Sequence, residues 1–416
     1  MLLLSLAWQS LKNRRLTTSL TVISIALSVA LLLGVEALRV SARESFSSTI
    51  SQTDLIVGAR GGSLQLLLYT VFRIGTPTNN IRWDTWQHWA HNPAIAWTIP
   101  YSLGDAHRGF RVVGTDANFY EHYRFRRDRR IEFAAGHAPG SPTETVVGSD
   151  AAAKLHYQVG DKIRLTHGLG TSGILDHDEN PFTITGILAR TATPIDRSVY
   201  ITLEGMSSVH HGWEDGSVPE PGEAPAAATD LKPTAITAFL LRANSRPDLL
   251  RLQRDINNYA EEPLSAIVPA ATLIELWSTV RYAEVALEII SGFVVLAGLL
   301  GMLVAIYTTL NERRREMAIL RAIGAGPLKI ISLFLIESLL LAASGCLLGV
   351  VALYISIASL QSWIEAQFGF YLRWQGFQPI QAAYLGIVIG ASLIIGLVPA
   401  WRAYRNTLAD GLSVRI

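Results

Sequence analysis

The chain has 416 residues, half of them hydrophobic and only 17% charged, with a positive mean hydropathy, which excludes an ordinary soluble enzyme. Thirty-five basic side chains against 34 acidic ones leave a formal net charge of +1, so no global field draws nucleic acid. The single cysteine, Cys346, excludes an internal disulfide framework and a cysteine-based metal cluster and reads as a small buried hydrophobe.

The opening "MLLLSLAWQSLKNRR", residues 1–15, sets Leu3, Leu6 and Trp8 among polar residues ahead of a basic cluster. That pattern suits a short helix lying in the cytoplasmic interface of a membrane. Residues 16–38 read as a first span, free of charge from Leu16 to Val35. A bilayer needs roughly 20 apolar residues in a helix, and a helix satisfies its own backbone in lipid. The apolar core is longer than that of a cleaved signal and no A-x-A site follows, so the span is expected to persist.

Residues 39–283 change to a mixed, globular composition. "SARESFSSTISQTD" reads as a helical continuation of the first span that ends at a strand, "DLIVGA". "FRVVGTD", "TETVVGS", "KIRLTHG", "PFTITGILA", "SVYITLE" and "TAITAFLLRA" are β-rich runs bounded by Gly, Pro and Asp. "SRPDLLRLQRDINNYA" is a helix with Ser245 as N-cap, Pro247 early, and Leu249, Leu250, Leu252 and Ile256 on its apolar side. These elements predict a large α+β domain of two subdomains.

Four features of this domain are candidates for more than scaffolding. The glycines of "VGARGGS", Gly58 to Ser63, are not followed by the lysine of a phosphate loop and read as a flexible turn. "LQLLLYTVFRIG" is too short to span; it reads as a core helix, with a lipid- or partner-facing surface as the alternative. "RFRRDRR", Arg124 to Arg130, reads as a solvated basic face, with contact to anionic lipid or an acidic partner as the alternative. His167, His177, Asp178, His210, His211 and Glu214 could bind zinc if the fold gathers them, although their spacing matches no ligand template. Residues 213–233, rich in Pro, Ala and acid, read as a mobile loop.

"ATLIELWSTVRYAEVALEII" resumes helical periodicity and predicts one continuous helix running into a second span at 284–310. A short charged connection follows at 311–327, then a third span at 328–357, a short external loop at 358–378, a fourth span at 379–401 and a tail at 402–416. Basic residues flank the spans: Lys12, Arg14 and Arg15 before the first, Arg313, Arg314, Arg315, Arg321 and Lys329 between the second and third, and Arg402, Arg405 and Arg415 after the fourth. The positive-inside rule places these in the cytoplasm, with both termini inside and residues 39–283 outside.

Within the third span, Glu337 is ionisable at a depth where charge is costly. It acts or pairs inside the bundle, or else it pairs at the interface with Arg321 or Lys329. Gly345, Gly349, Gly386, Gly390 and Gly396 read as packing positions, and the Gly386–Gly390 spacing permits close helix contact. No Walker A loop, kinase signature, nucleophile elbow or H-E-x-x-H is present, so no catalytic residues and no cofactor are expected in this chain.

The connection "ERRREMAILRAIGAGPLKI" resembles the signature of FtsX-like ABC permeases, the group that includes the MacB exporter and the lipoprotein-release permeases. The resemblance rests on a basic-acidic start, Arg313, Arg314, Arg315 and Glu316, and on the run Ala318, Ile319, Leu320, Arg321, Ala322, Ile323, Gly324 and Ala325. "FLIESLLLAASGCLLG", with Glu337, resembles the family's third span. "VPAWRAYRNTLADGLSVR" resembles its C-terminal end, with Asp410 where Pro is usual. "VVGTDANFY", "TVVGSDAAAKLHYQVGDKI" and "FTITGILA" resemble the MacB-type periplasmic core domain.

The resemblance implies four transmembrane helices with a large α+β domain inserted between the first and second. It also implies a permease subunit of a type VII ABC transporter in a bacterial inner membrane, working as a homodimer on a homodimer of a separate ATPase that carries ATP and Mg. The expected activity is mechanotransmission to the periplasmic domain, with export or extraction of a cargo. The connection would be the coupling helix: Glu312, Arg313 and Glu316 lie on or near one face and Met317, Leu320 and Ile323 on another, a form suited to docking in a groove. Gly324 would end that helix and Pro327 start the next. A regulatory member that activates a periplasmic hydrolase, and a zinc-handling component built on the His-rich segments, are the alternatives. Membrane lipid is an expected partner, a periplasmic adaptor, binding protein or hydrolase is compatible, and nucleic acid is not expected.

Overall fold

The computed structural model describes residues 2–126, 128–167, 181–210, 232–308, 319, 322, 324–368 and 377–409. The chain divides into two compact units, one of residues 1–42, 281–362 and 372–416, the other of residues 43–280 and 363–371.

Among the described residues four helices are long and apolar enough to cross a membrane, Arg15–Ser48, Pro269–Thr308, Pro327–Phe368 and Pro379–Ala409, and most of their length belongs to the first unit. A shorter helix, Leu2–Asn13, precedes them. The first span is inside-out by the standards of a water-soluble helix. Leu16, Leu20, Ile23, Leu27 and Leu31 are exposed, whereas Thr21, Ser28 and Glu36 are buried beside Ile25, Val29 and Leu33. Water would drive leucine inward and leave the hydroxyls and carboxylate outside; lipid permits the reverse, because polar groups then shelter in the bundle. Cys346 is buried with Met302, Phe334 and Val388 in this core.

Glycine sets the approach of the third span to the first. A Cβ added at Gly345 would stand 2.6 Å from Ile25 Cγ2, and one at Gly349 would stand 2.7 Å from the Ala26 carbonyl oxygen. The close contact expected of Gly386 and Gly390 is not seen among the described residues, since a Cβ at either has no neighbour within 4 Å. The fourth span packs instead through Val388 and Ser392, both buried, and Gly396, which abuts Ser338. These three recur every fourth residue, so they share a face that positions 386 and 390 do not.

The second unit is built on a mixed sheet. In spatial order its main strands are Leu264–Ile267, Leu55–Ala59, Ala238–Ala243, Ile95–His107, Phe110–Thr115, Ser198–Thr202, Glu144–Val147, Phe182–Leu188 and Phe133–Gly136. Two neighbouring pairs are parallel, Phe110–Thr115 with Ser198–Thr202 and Glu144–Val147 with Phe182–Leu188; the other pairs are antiparallel. The strand Ile95–His107 joins two halves: Ile99 faces Leu240 on one side, and Ser102 faces Gly114 on the other, with a register shift between Leu103 and Ala106. This strand is absent from the expected elements; it holds Pro100 and Gly104, residue types that are uncommon inside strands. Pro100 is accommodated, and its carbonyl accepts a hydrogen bond from Thr115 Oγ1 at 2.9 Å.

"LQLLLYTVFRIG" belongs to the core: Leu66, Leu67, Tyr69, Val71 and Phe72 are buried within the helical stretch Ser63–Phe72. Gly58 corrects the expectation of a turn. It lies inside the strand Leu55–Ala59, and a Cβ there would come within 2.5 Å of Leu66 Cδ1, so the missing side chain lets the helix lie against the strand. The helix Arg246–Asn257 starts as expected, with Ser245 Oγ accepting from the Asp248 amide at 3.3 Å. Leu252 and Ile256 are buried, but Leu250 is exposed and does not join the apolar side. The basic cluster forms a small hairpin of Arg124–Phe125 with Arg129–Arg130. Arg129 and Arg130 are solvated and Arg124 pairs with Asp128 at 3.7 Å.

Candidate functional site

Of the connection at 311–327, Ile319 and Ala322 are described as helical and exposed. Gly324 then turns the chain with φ +93°, a left-handed conformation that favours glycine. The next long helix opens at Pro327, and the Lys329 amide donates to the Gly326 carbonyl at 3.0 Å. Glu312, Arg313, Arg314, Arg315, Glu316, Met317, Ala318, Leu320, Arg321 and Ile323 lie outside the described residues. Ala325 follows Gly324 and is half-buried.

Glu337 is 1% exposed, within the bundle of spans rather than at its rim. It lines a cavity of about 30 Å3 together with Ser10, Arg14, Thr17, Thr18 and Thr21. That is room for a water molecule, which needs about 10–15 Å3. Thr18 Oγ1 donates to the Leu11 carbonyl at 3.0 Å and Thr21 Oγ1 to the Thr17 carbonyl at 2.8 Å. The N-terminal helix, Arg14 after it and the start of the first span thus line this cavity with a guanidinium and four hydroxyls beside the buried carboxylate. Lys329, the interfacial partner considered from sequence, is exposed, and Arg321 lies outside the described residues.

A second polar cluster joins the first two spans. Arg39 Nη2 donates to Glu36 Oε1 at 2.9 Å, and Nη1 donates to Glu288 Oε1 at 3.0 Å. Glu36 is 6% exposed. Sequence reasoning missed this cluster: the apolar run was counted as far as Val35, and an Arg three residues after a Glu signals only a helix-surface pair. The partner that makes it an interhelical bridge, Glu288, is 249 positions away.

The candidate zinc ligands are not brought together among the described residues. His177, Asp178, His211 and Glu214 lie outside them, as does the mobile-loop expectation for 213–233. Of His167 and His210 only the backbone is described. Among the described residues no group of three His, Cys, Asp or Glu side chains could hold a metal ion. The buried His107 is committed elsewhere, with Nδ1 2.5 Å from the Arg164 carbonyl and Nε2 2.8 Å from the Tyr157 hydroxyl. Burial holds its pKa below the ordinary imidazole value.

Among the described residues, four helices long and apolar enough to cross a membrane, a first span with leucines outward and polar groups inward, and a large α+β domain inserted after it define the class: an integral membrane protein with a substantial domain outside the bilayer. Two family models cover most of the chain, a MacB-like periplasmic core domain at residues 18–258 and an FtsX-like permease C-terminal region at residues 288–408. The chain therefore belongs to the MacB-type family of FtsX-like permeases.

The macrolide export ATP-binding/permease protein MacB of Nitrobacter winogradskyi is 25% identical over 307 residues, 73% of this chain and 43% of that protein. MacB of Brucella abortus is 31% identical over 124 residues, 30% of this chain and 18% of that protein. The chain thus spans less than half the length of these relatives. Among solved structures, the periplasmic region of MacB from Actinobacillus actinomycetemcomitans aligns with a TM-score of 0.33 at 8% identity, over 56% of this chain and 94% of that one.

Proposed function

We propose that the chain is the permease subunit of an ABC transporter that passes the work of an ATPase on another chain, with its ATP and Mg, to the domain at 39–283. In this reading both termini and the connection at 311–327 are cytoplasmic, the domain is periplasmic, and the active form is a homodimer. The cargo is exported or extracted on the periplasmic side rather than conducted through the four spans.

The observation that carries the reading is the form of the first two spans. The helices Arg15–Ser48 and Pro269–Thr308 run unbroken for 34 and 40 residues. At 1.5 Å per residue that is about 51 and about 60 Å, against a hydrocarbon core of about 30 Å. Arg39 ties them together through Glu36 and Glu288. Rigid helices cross-braced in this way move as a pair, which suits transmission of movement better than a solute pathway. At the other end, the sequence of the connection at 311–327 carries the charged and apolar pattern of a helix that docks in a groove.

The test is co-purification with the cognate ATPase. Charge reversal at Arg314 and Glu316 together, or Leu320→Asp, is expected to abolish recovery of the ATPase while membrane insertion stays intact. Retention of the ATPase by both variants would sink the docking assignment.

A further inference from the structure

The domain at 39–283 contains a cavity of about 470 Å3 that the transmission account does not use. Its wall combines cations with apolar carbon: Arg73, Arg111 and Arg197 stand beside Phe46, Phe72 and Phe110. Small-molecule sites commonly occupy roughly 300–1,000 Å3 and have this make-up, an apolar lining with a few convergent polar groups.

The fold goes to some lengths to place Arg73 here. It closes the helical stretch Ser63–Phe72 in a left-handed conformation, φ +61°, which a residue with a Cβ seldom adopts. Its guanidinium lies over the Tyr101 ring, 4.6 Å from the centroid, and Nη1 donates to the Thr70 carbonyl. Its Nε is buried without a hydrogen-bond partner. Arg111, at the start of the strand Phe110–Thr115, donates to the Gly75 carbonyl. Burial, and after it the charge of Arg73, hold its pKa below the ordinary arginine value. Among the described residues no carboxylate forms an ion pair with either arginine. Arginine cannot escape such a position by losing its proton, so two mutually repelling cations are kept beside a hole with no paired carboxylate among the described residues.

Another part of the lining is held in place. Asp196 accepts hydrogen bonds from the amides of Thr191 at 2.9 Å and Ala192 at 2.6 Å, and from Thr191 Oγ1 at 2.7 Å. These bonds pin the turn that presents Ala192, Thr193 and Pro194 to the cavity. A site ordered before its ligand arrives loses less entropy on binding.

We propose that this cavity binds an amphipathic anion, a phosphate or carboxylate on an apolar tail, with Arg73 and Arg111 on the headgroup and Phe46, Phe72 and Phe110 along the tail. The ligand is a membrane lipid or a soluble amphiphile of the same chemistry. Neither an inorganic anion nor a neutral chain would satisfy both halves of the wall.

Isothermal titration of octyl phosphate into the full chain, held in phosphatidylcholine nanodiscs with empty discs subtracted, tests this. One saturable site per chain is expected, with inorganic phosphate and octanol each at least tenfold weaker. Arg111→Gln is expected to weaken octyl phosphate at least tenfold without lowering the melting temperature. It is the primary variant, because Arg73→Met also removes the contact with Tyr101 and can unsettle the fold. Adding phosphatidylglycerol to the discs separates the sources: loss of octyl phosphate binding assigns the site to an anionic lipid, and unchanged binding assigns it to a soluble ligand. The proposal is overturned by no saturable binding above empty discs, by equal binding of octanol, or by full affinity in a folded Arg111→Gln chain.

Discussion

Arg39→Met tests the cross-brace between the first two spans. Arg39 holds Glu36 at 2.9 Å and Glu288 at 3.0 Å. Gross attraction for one such pair is about 5 kcal/mol at an effective dielectric near 20. Removing one member of a buried pair usually costs about 3–5 kcal/mol, because the remaining charge is left without compensation. The Glu36 side chain is 7% exposed, but those of Arg39 and Glu288 are 31% and 43% exposed. Partial solvation therefore puts the expected loss at the lower end, about 3 kcal/mol, or roughly a hundredfold in the folded-to-unfolded ratio. Adding Glu36→Gln removes the stranded carboxylate and is expected to recover most of that loss, leaving about 1 kcal/mol. Thermal melting of the full chain in a mild non-ionic detergent, followed by tryptophan fluorescence, reads both steps. If Arg39→Met melts with the parent, or if Glu36→Gln restores nothing, the bridge does not hold these spans.

Two further outcomes follow from the same physics. Gly349→Val forces a side chain against the Ala26 carbonyl and Val29 and is expected to cost about 1–3 kcal/mol, whereas Gly386→Ala, in open space, should stay within about 0.5 kcal/mol; equal melting of the two would refute the packing assignment. Burial pushes the Asp116 carboxyl up to about 7 from an ordinary 3.8, so between those values the native state holds a proton that the unfolded chain has lost. Stability is therefore expected to fall as pH rises from about 4 to about 7, by about 1–3 kcal/mol in all. Asp116→Asn should flatten that slope in denaturant titrations at several pH values, and an unchanged slope would remove Asp116 as its source.

Much of this molecule is written locally. Whether about 20 consecutive residues can cross lipid depends only on those residues, so four spans, and with them the protein class, are legible without a fold. The cap at Ser245 and the left-handed exit at Gly324 are local too, because each follows from the backbone preferences of a few neighbours. The run from Ala318 to Ala325 carried the resemblance to the family, because a contiguous pattern can be read without a fold.

Elsewhere the decisive property was proximity, which hydropathy and periodicity do not encode. Periodicity shows that a helix has two faces; only packing decides that Val388, Ser392 and Gly396 face inward while Gly386 and Gly390 do not. Pro100 reads as a breaker until neighbours on both sides hold its strand in register. Glu36 looks like the end of an apolar run until Glu288 and Arg39 complete the bridge. Arg73 and Arg111 are unremarkable in sequence, and Arg73 follows a stretch that looks like plain core. Tertiary structure brings their charges to one cavity, and the energy of a buried charge depends on what surrounds it in space rather than along the chain.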